Sequence, residues 1–98
     1  MNEYSVTIRN AYYNQNYFNV GVVASHELGQ NGDNLSIILP NGLIIPTTID
    51  RTTNDNGSVR FYGGNAWHQF IHGNYNMNEI ITFQINNPNT ITIIQNAQ

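Results

Sequence analysis

Three arginines carry all the formal positive charge of this 98-residue chain. Arg9, Arg51 and Arg60 face six carboxylates, and lysine is absent. A guanidinium presents a planar fork of donors that matches paired acceptors on a phosphate or a guanine edge. The eighteen asparagines present the donor–acceptor pair that matches adenine. His68 and His72 in "HQFIH" have the i, i+4 spacing of a zinc-binding helix face. That motif lacks the glutamate a metalloprotease sets beside its first histidine, and two histidines leave a tetrahedral site short of ligands. His26 and Glu27 complete it only if two helices meet. We read the pair as a polar helix face and assign no metal. Catalysis finds little footing. There is no cysteine, no serine or threonine sits in a nucleophile elbow, and "GQNGD" and "YGGN" lack the phosphate-loop lysine. Glu3, Glu27, Asp33, Asp50, Asp55 and Glu79 are scattered along the chain. We expect no enzyme, no catalytic residue and no cofactor.

The elements that must carry these side chains are mostly strands. Thirteen isoleucines, six tyrosines and four phenylalanines favour extended structure, and the asparagines and eight glycines supply turns. Tyr4 to Arg9 alternates apolar and polar residues, as a half-buried strand does. Asn10 to Asn16, "NAYYNQN", reads as a polar, aromatic loop, and Tyr17 to Val23 as a second strand bent at Gly21. Ala24 to Gly29 reads as a short helix capped by Ser25 and ended by a left-handed Gly29. Asn34 to Leu39 and Leu43 to Ile49 flank "PNG", where Asn41-Gly42 suggests a type I′ hairpin. Pro46 demotes the second of these strands to an edge or a bulge. Asp50 to Ser58 is a second polar loop, and Val59 to Tyr62 a short strand. A helix over Asn65 to Gly73, capped by Asn65, drives Trp67, Phe70 and Ile71 toward the core. "EIITFQI" and "TITIIQ", joined by "NNPN", complete the chain. About seven strands and two short helices in a single domain over residues 1–98 predict a barrel-like, mainly β fold.

The stretch "RFYGGNAWHQFIHGNYNMNEIITFQI" supplies Phe61, Gly64, Trp67, Phe70, Asn74, Glu79 and Phe83. With the hairpin "LSIILPNGLIIPTTI" and the segment "YFNVGVVASHELG", it resembles the B3 DNA-binding domain. That family includes plant transcription factors, and its relatives include recognition domains of some restriction endonucleases. The resemblance spans nearly the whole chain, rests mostly on packing residues, and implies a seven-stranded open pseudobarrel with two short helices. It also implies that duplex DNA lies against two loop arms. The N-arm maps to Arg9 through Asn16 and the C-arm to Arg51 through Arg60. The site residues so implied are Arg9, Asn10, Tyr12, Tyr13, Asn14, Asn16, Arg51, Thr52, Thr53, Asn54, Asn56 and Arg60. The arginines are expected to contact phosphates or bases, and the asparagines to read base edges or bond phosphates. The chain departs from the family in having no lysine and in placing Asp50 and Asp55 at the C-arm.

Those departures shape the expected partner. The net charge of −3 offers little attraction to nucleic acid or anionic membrane. Double-stranded DNA is therefore expected to bind weakly, with a shallow salt dependence. The competing reading is an uncharged module for glycan or protein. There Tyr12, Tyr13 and Tyr17 stack on sugar faces while Asn10, Asn14, Gln15 and Asn16 bond hydroxyls. The bland alternative is a loop whose asparagines form turns and whose tyrosines cover the core. No addressing segment or run of apolar residues long enough to span a bilayer is present. The sequons at Asn34 and Asn56 read as chance matches in an asparagine-rich chain. The expected location is intracellular, in a nucleus or a bacterial cytoplasm.

Overall fold

The computed structural model describes residues 2–94. Seven strands and three short helices appear in the order β1 (Glu3–Thr7), α1 (Asn10–Asn14), β2 (Tyr17–Asn19), α2 (Val22–Ser25), β3 (Asn34–Ile38), β4 (Ile44–Thr48), β5 (Arg60–Tyr62), α3 (Gly64–Asn74), β6 (Ile80–Asn87) and β7 (Thr90–Ile94). A five-stranded sheet runs β1-β6-β7-β3-β4, and β2 pairs with β5 in a separate two-stranded ribbon. All pairings are antiparallel except β3 with β7. The sheets do not close on each other, which gives the open pseudobarrel the sequence implies. Gln95, expected at the end of the last strand, lies outside the described residues.

Alternation sets the core. In β6, Ile81, Phe83 and Ile85 are buried, and in β7 Ile91 and Ile93. Leu35 and Ile37 of β3 and Ile45 of β4 complete that face. The ribbon buries Phe18 and Phe61, which are direct cross-strand partners. Trp67 closes the cluster. Its ring centroid lies 5.0 Å from Phe61 and 5.5 Å from Phe18, and Phe18 lies 6.0 Å from Phe83. These contacts hold α3, the ribbon and the main sheet in one block. A buried aromatic of this kind typically costs about 3–5 kcal/mol to truncate to alanine.

Several local expectations change. Asn10–Asn14 is a helical turn rather than loop, so the described residues form three helices rather than two. The Tyr13 N–H donates to Arg9 O at 3.0 Å, and Asn14 Nδ2 donates to Asn10 O at 3.1 Å. Tyr12 packs 5.2 Å from Phe18 and Tyr13 4.1 Å from His72, so tertiary packing overrides a polar local sequence. The second strand stops at Asn19, and α2 starts at Val22, two residues before the expected Ala24. Ser25 ends α2 instead of capping it. Its hydroxyl donates back to Gly21 O and accepts the Val59 N–H.

The β3–β4 turn is not type I′, because Asn41 is absent from the residues with positive φ while Gly42 has φ 89°. Pro40 fixes a negative φ at the first central position, and the chain turns back through a Gly42 N–H to Leu39 O bond of 2.9 Å. Gly42 then takes the left-handed bulge position. Pro46 lies on edge strand β4, as expected. Helix α3 begins at Gly64, with no side-chain cap from Asn65. Gly63 occupies the N-cap instead, where a Cβ would stand 2.3 Å from Trp67 Cβ.

Candidate nucleic-acid interface

Because Phe18 and Phe61 point inward, their neighbours on the ribbon point outward. Cross-strand register pairs Tyr17 with Tyr62 and Asn19 with Arg60 on that outer face. The antiparallel pairing sets α1, which leads into β2, at the Tyr17–Tyr62 end. It sets the Arg51–Val59 loop, which leads into β5, at the Asn19–Arg60 end. The two arms therefore meet through the ribbon rather than directly.

Contacts run continuously across this face. Tyr12 lies edge-on to Tyr17 at 6.0 Å, and Tyr17 lies 6.1 Å from Tyr62. The Arg60 guanidinium carbon sits 3.9 Å above the Tyr17 ring. Arg60 Nε donates to Asn19 Oδ1 at 3.0 Å, and Asn54 Nδ2 donates to the same oxygen at 3.0 Å. The Arg60 backbone is pinned by paired bonds to Asp50 of 2.8 and 3.0 Å. Beside them an open depression of about 260 Å³ is lined by Asn19, Asn54, Asp55, Asn56 and Ser58.

The three arginines have different environments. Arg51 is half-buried and committed to the backbone. Its Nε donates to Gly29 O, Nη1 to Gly57 O, and Nη2 to both Ser25 O and Leu28 O, at 2.7–3.1 Å. Two of those acceptors, Ser25 and Leu28, lie at and just beyond the end of α2, and Gly57 lies in the C-arm. Arg51 thus ties the arm to α2. Arg9 is exposed, and among the described residues its side chain makes no hydrogen bond or ion pair. Arg60 lies between these extremes, held at Nε with both Nη atoms unbonded among the described residues.

The remaining candidates sort by location. In the C-arm, Asp50 accepts the Thr52 N–H at 2.8 Å, the Thr52 hydroxyl at 2.9 Å and the Thr53 hydroxyl at 2.5 Å. The Thr53 hydroxyl, followed by the Thr52 N–H, pulls the Asp50 carboxyl from its usual range down to about 2. Thr52 and Thr53 remain exposed, and Asn56 turns its Oδ1 to the Ser58 N–H. In the N-arm, Asn10 and Asn14 bond each other, and Asn16 O accepts the Gly63 N–H at 2.8 Å. Tyr12 and Tyr13 are half-buried against Phe18 and His72.

His68 and His72 stack at 4.3 Å, and His72 Nε2 bonds Tyr13 O, which anchors α1 to α3. Among the described residues no third histidine, cysteine or carboxylate joins them. His26 stays apart, and Glu27 accepts from Tyr4 and Asn2. No described helix is long and apolar enough to cross a membrane.

The sequence reading missed Asn19 and Tyr62 altogether and placed Tyr17 only in the glycan alternative. The alternation in "YFNV" and "RFYG" was the usable pointer, since an inward Phe18 and Phe61 force their neighbours outward.

No family model and no curated protein matches this chain. Four solved chains match in structure. One is the N-terminal domain of Helicobacter pylori LlaJI.R1, with a TM-score of 0.67 and 13% identity, covering 93% of this chain and 77% of that one. The likeness is one of fold, and it extends over nearly the whole chain.

Proposed function

We propose that this domain is a non-enzymatic DNA-recognition module that presents the β2–β5 ribbon and its two flanking arms to duplex DNA. The observation that carries the reading is the outward Arg60–Tyr17–Asn19–Asn54 cluster. It is a cation and two amides held by a stacked ring on a two-stranded β-ribbon. A ribbon of that width enters a major groove, and arginine and asparagine are the side chains that match base edges there. The pseudobarrel shared with the LlaJI.R1 N-terminal domain and the resemblance to B3 recognition domains support the same conclusion. Arg9, Asn10, Asn14 and Asn16 approach the backbone from one side, and Thr52, Thr53 and Asn56 from the other. Arg51 acts as a scaffold for the C-arm.

The test is a titration of random-sequence duplex and single-stranded DNA over a range of salt. Duplex binding at low salt, weakened by Arg60→Ala and by Arg9→Ala, is the expected result. No duplex binding at low salt by the folded domain overturns the proposal. Binding to a glycan array that disappears on changing Tyr12 and Tyr17 transfers the site to the competing class.

A further inference from the structure

We infer that Arg60 is a base-reading residue whose guanidinium recognises guanine, not a phosphate anchor. This inference rests on the DNA-recognition reading above and assigns its specificity. Three features of the side chain converge. Its guanidinium carbon sits 3.9 Å above the Tyr17 ring, its Nε is engaged by Asn19 Oδ1 at 3.0 Å, and its main chain is bridged to Asp50. Stacking and the Nε bond remove most of the rotamer freedom that an exposed arginine loses on binding. Both Nη groups are left unbonded among the described residues, so they are free to act together as an end-on fork. The fork fits a pair of acceptors on one rigid edge, and guanine O6 and N7 are such a pair in the major groove.

A phosphate also offers two oxygens, so charge decides between them. Asp55 lines the depression next to Asn19, and Asp50 is bridged to Arg60 through the backbone. The Thr52 and Thr53 hydrogen bonds hold Asp50 ionised down to about pH 2. Arg51, the other cation of the arm, spends its donors on four carbonyls. The local field is thus close to neutral, which gives a phosphate little to gain. A base edge carries no net charge and is recognised by hydrogen-bond geometry alone. Arg9, outside this acidic surround, is left as the backbone contact.

The experiment selects from a randomised duplex pool at low salt with the wild-type domain, then measures affinity for the enriched duplex. Guanine is expected at one position at least. Replacing it by 7-deazaguanine, which lacks the N7 acceptor, is expected to weaken binding by roughly tenfold. Inosine, which keeps O6 and N7, is expected to bind as guanine does. Arg60→Gln is expected to erase the guanine preference while leaving the salt slope nearly unchanged, since a base-reading guanidinium neutralises no phosphate. The 7-deazaguanine arm uses the unaltered protein, so a misfolded variant leaves the test intact. Binding without guanine enrichment, or equal affinity for 7-deazaguanine, overturns this inference alone. Absence of duplex binding overturns the DNA reading and this inference with it.

Discussion

Removing the Arg51 side chain separates its scaffolding role from recognition. Arg51→Ala deletes four donor contacts, to Gly29 O at 2.9 Å, Gly57 O at 3.0 Å, Ser25 O at 2.7 Å and Leu28 O at 3.1 Å. A charged donor is typically worth about 1.5–3 kcal/mol per bond when its acceptor is left buried. Arg51 is only half-buried, so water re-enters and about 1 kcal/mol per bond is the better figure. The expected loss is about 3–4 kcal/mol, a large part of the roughly 5–15 kcal/mol that holds such a domain together. In a chain of 98 residues this lowers Tm by roughly 12–25 °C. Urea unfolding followed by the buried Trp67 gives the assay, with a lower midpoint and an unchanged m-value as the signature. Arg51→Lys is expected to recover less than half of the loss, because one ammonium cannot span three nitrogen positions of a rigid fork. Arg60→Ala, which removes one side-chain hydrogen bond and one ring contact, is expected to cost less than about 1 kcal/mol. An Arg51→Ala variant within about 0.5 kcal/mol of wild type refutes the reasoning, since that is the ordinary range for surface changes.

Other consequences are direct. Gly63→Ala forces a Cβ to within 2.3 Å of Trp67 Cβ, so α3 must shift; a loss of about 2–4 kcal/mol in chemical denaturation is expected. Asp50 has its folded pKa depressed from 3.8 to about 2, so its contribution to stability is present above pH 3.8 and is lost as pH falls toward 2. Thr53→Val is expected to move the Asp50 carboxyl titration, followed by NMR, back toward 3.8, since the Thr53 hydroxyl is the largest cause of the shift. Asp55→Asn is expected to raise affinity for random duplex and steepen its salt dependence, because a carboxylate leaves the wall of the depression; unchanged affinity counts against DNA lying there.

Much of the scaffold was legible because it depends on period-two alternation and turn residues. Ile81, Phe83 and Ile85 in β6 announce a one-sided strand whatever packs against it, and Pro46 marks its own edge. The errors arose where tertiary contacts decide local structure. Asn10–Asn14 coils because Tyr12 and Tyr13 find Phe18 and His72, residues distant in sequence. Asn41-Gly42 carries the dipeptide of one turn, yet Pro40 dictates another. The candidate site was legible only as two polar segments, because nothing in "DRTTNDNGSVR" distinguishes an arginine bound to four carbonyls from one stacked on a tyrosine. That difference depends on α2 reaching Arg51 and β2 reaching Arg60, contacts across more than twenty residues.

The small charge inventory then bounds the DNA binding proposed above. With Arg51 consumed by the fold, Arg9 and Arg60 are the guanidinium groups left for DNA. Each neutralised phosphate contributes about 0.9 to the salt slope, so the slope is no steeper than about −2. A fourfold rise in salt then weakens binding by only about tenfold, where a basic domain with many phosphate contacts loses several orders of magnitude. If Arg60 reads guanine, the slope falls further, to about −1. The same scarcity lowers affinity for random sequence, because counterion release supplies most of non-specific binding. Amides and stacked rings discriminate between bases without attracting every phosphate. On the proposed reading, a surface of this composition has low overall affinity and is expected to keep a favourable ratio of specific to non-specific binding, the ratio that decides site selection among many competing sequences.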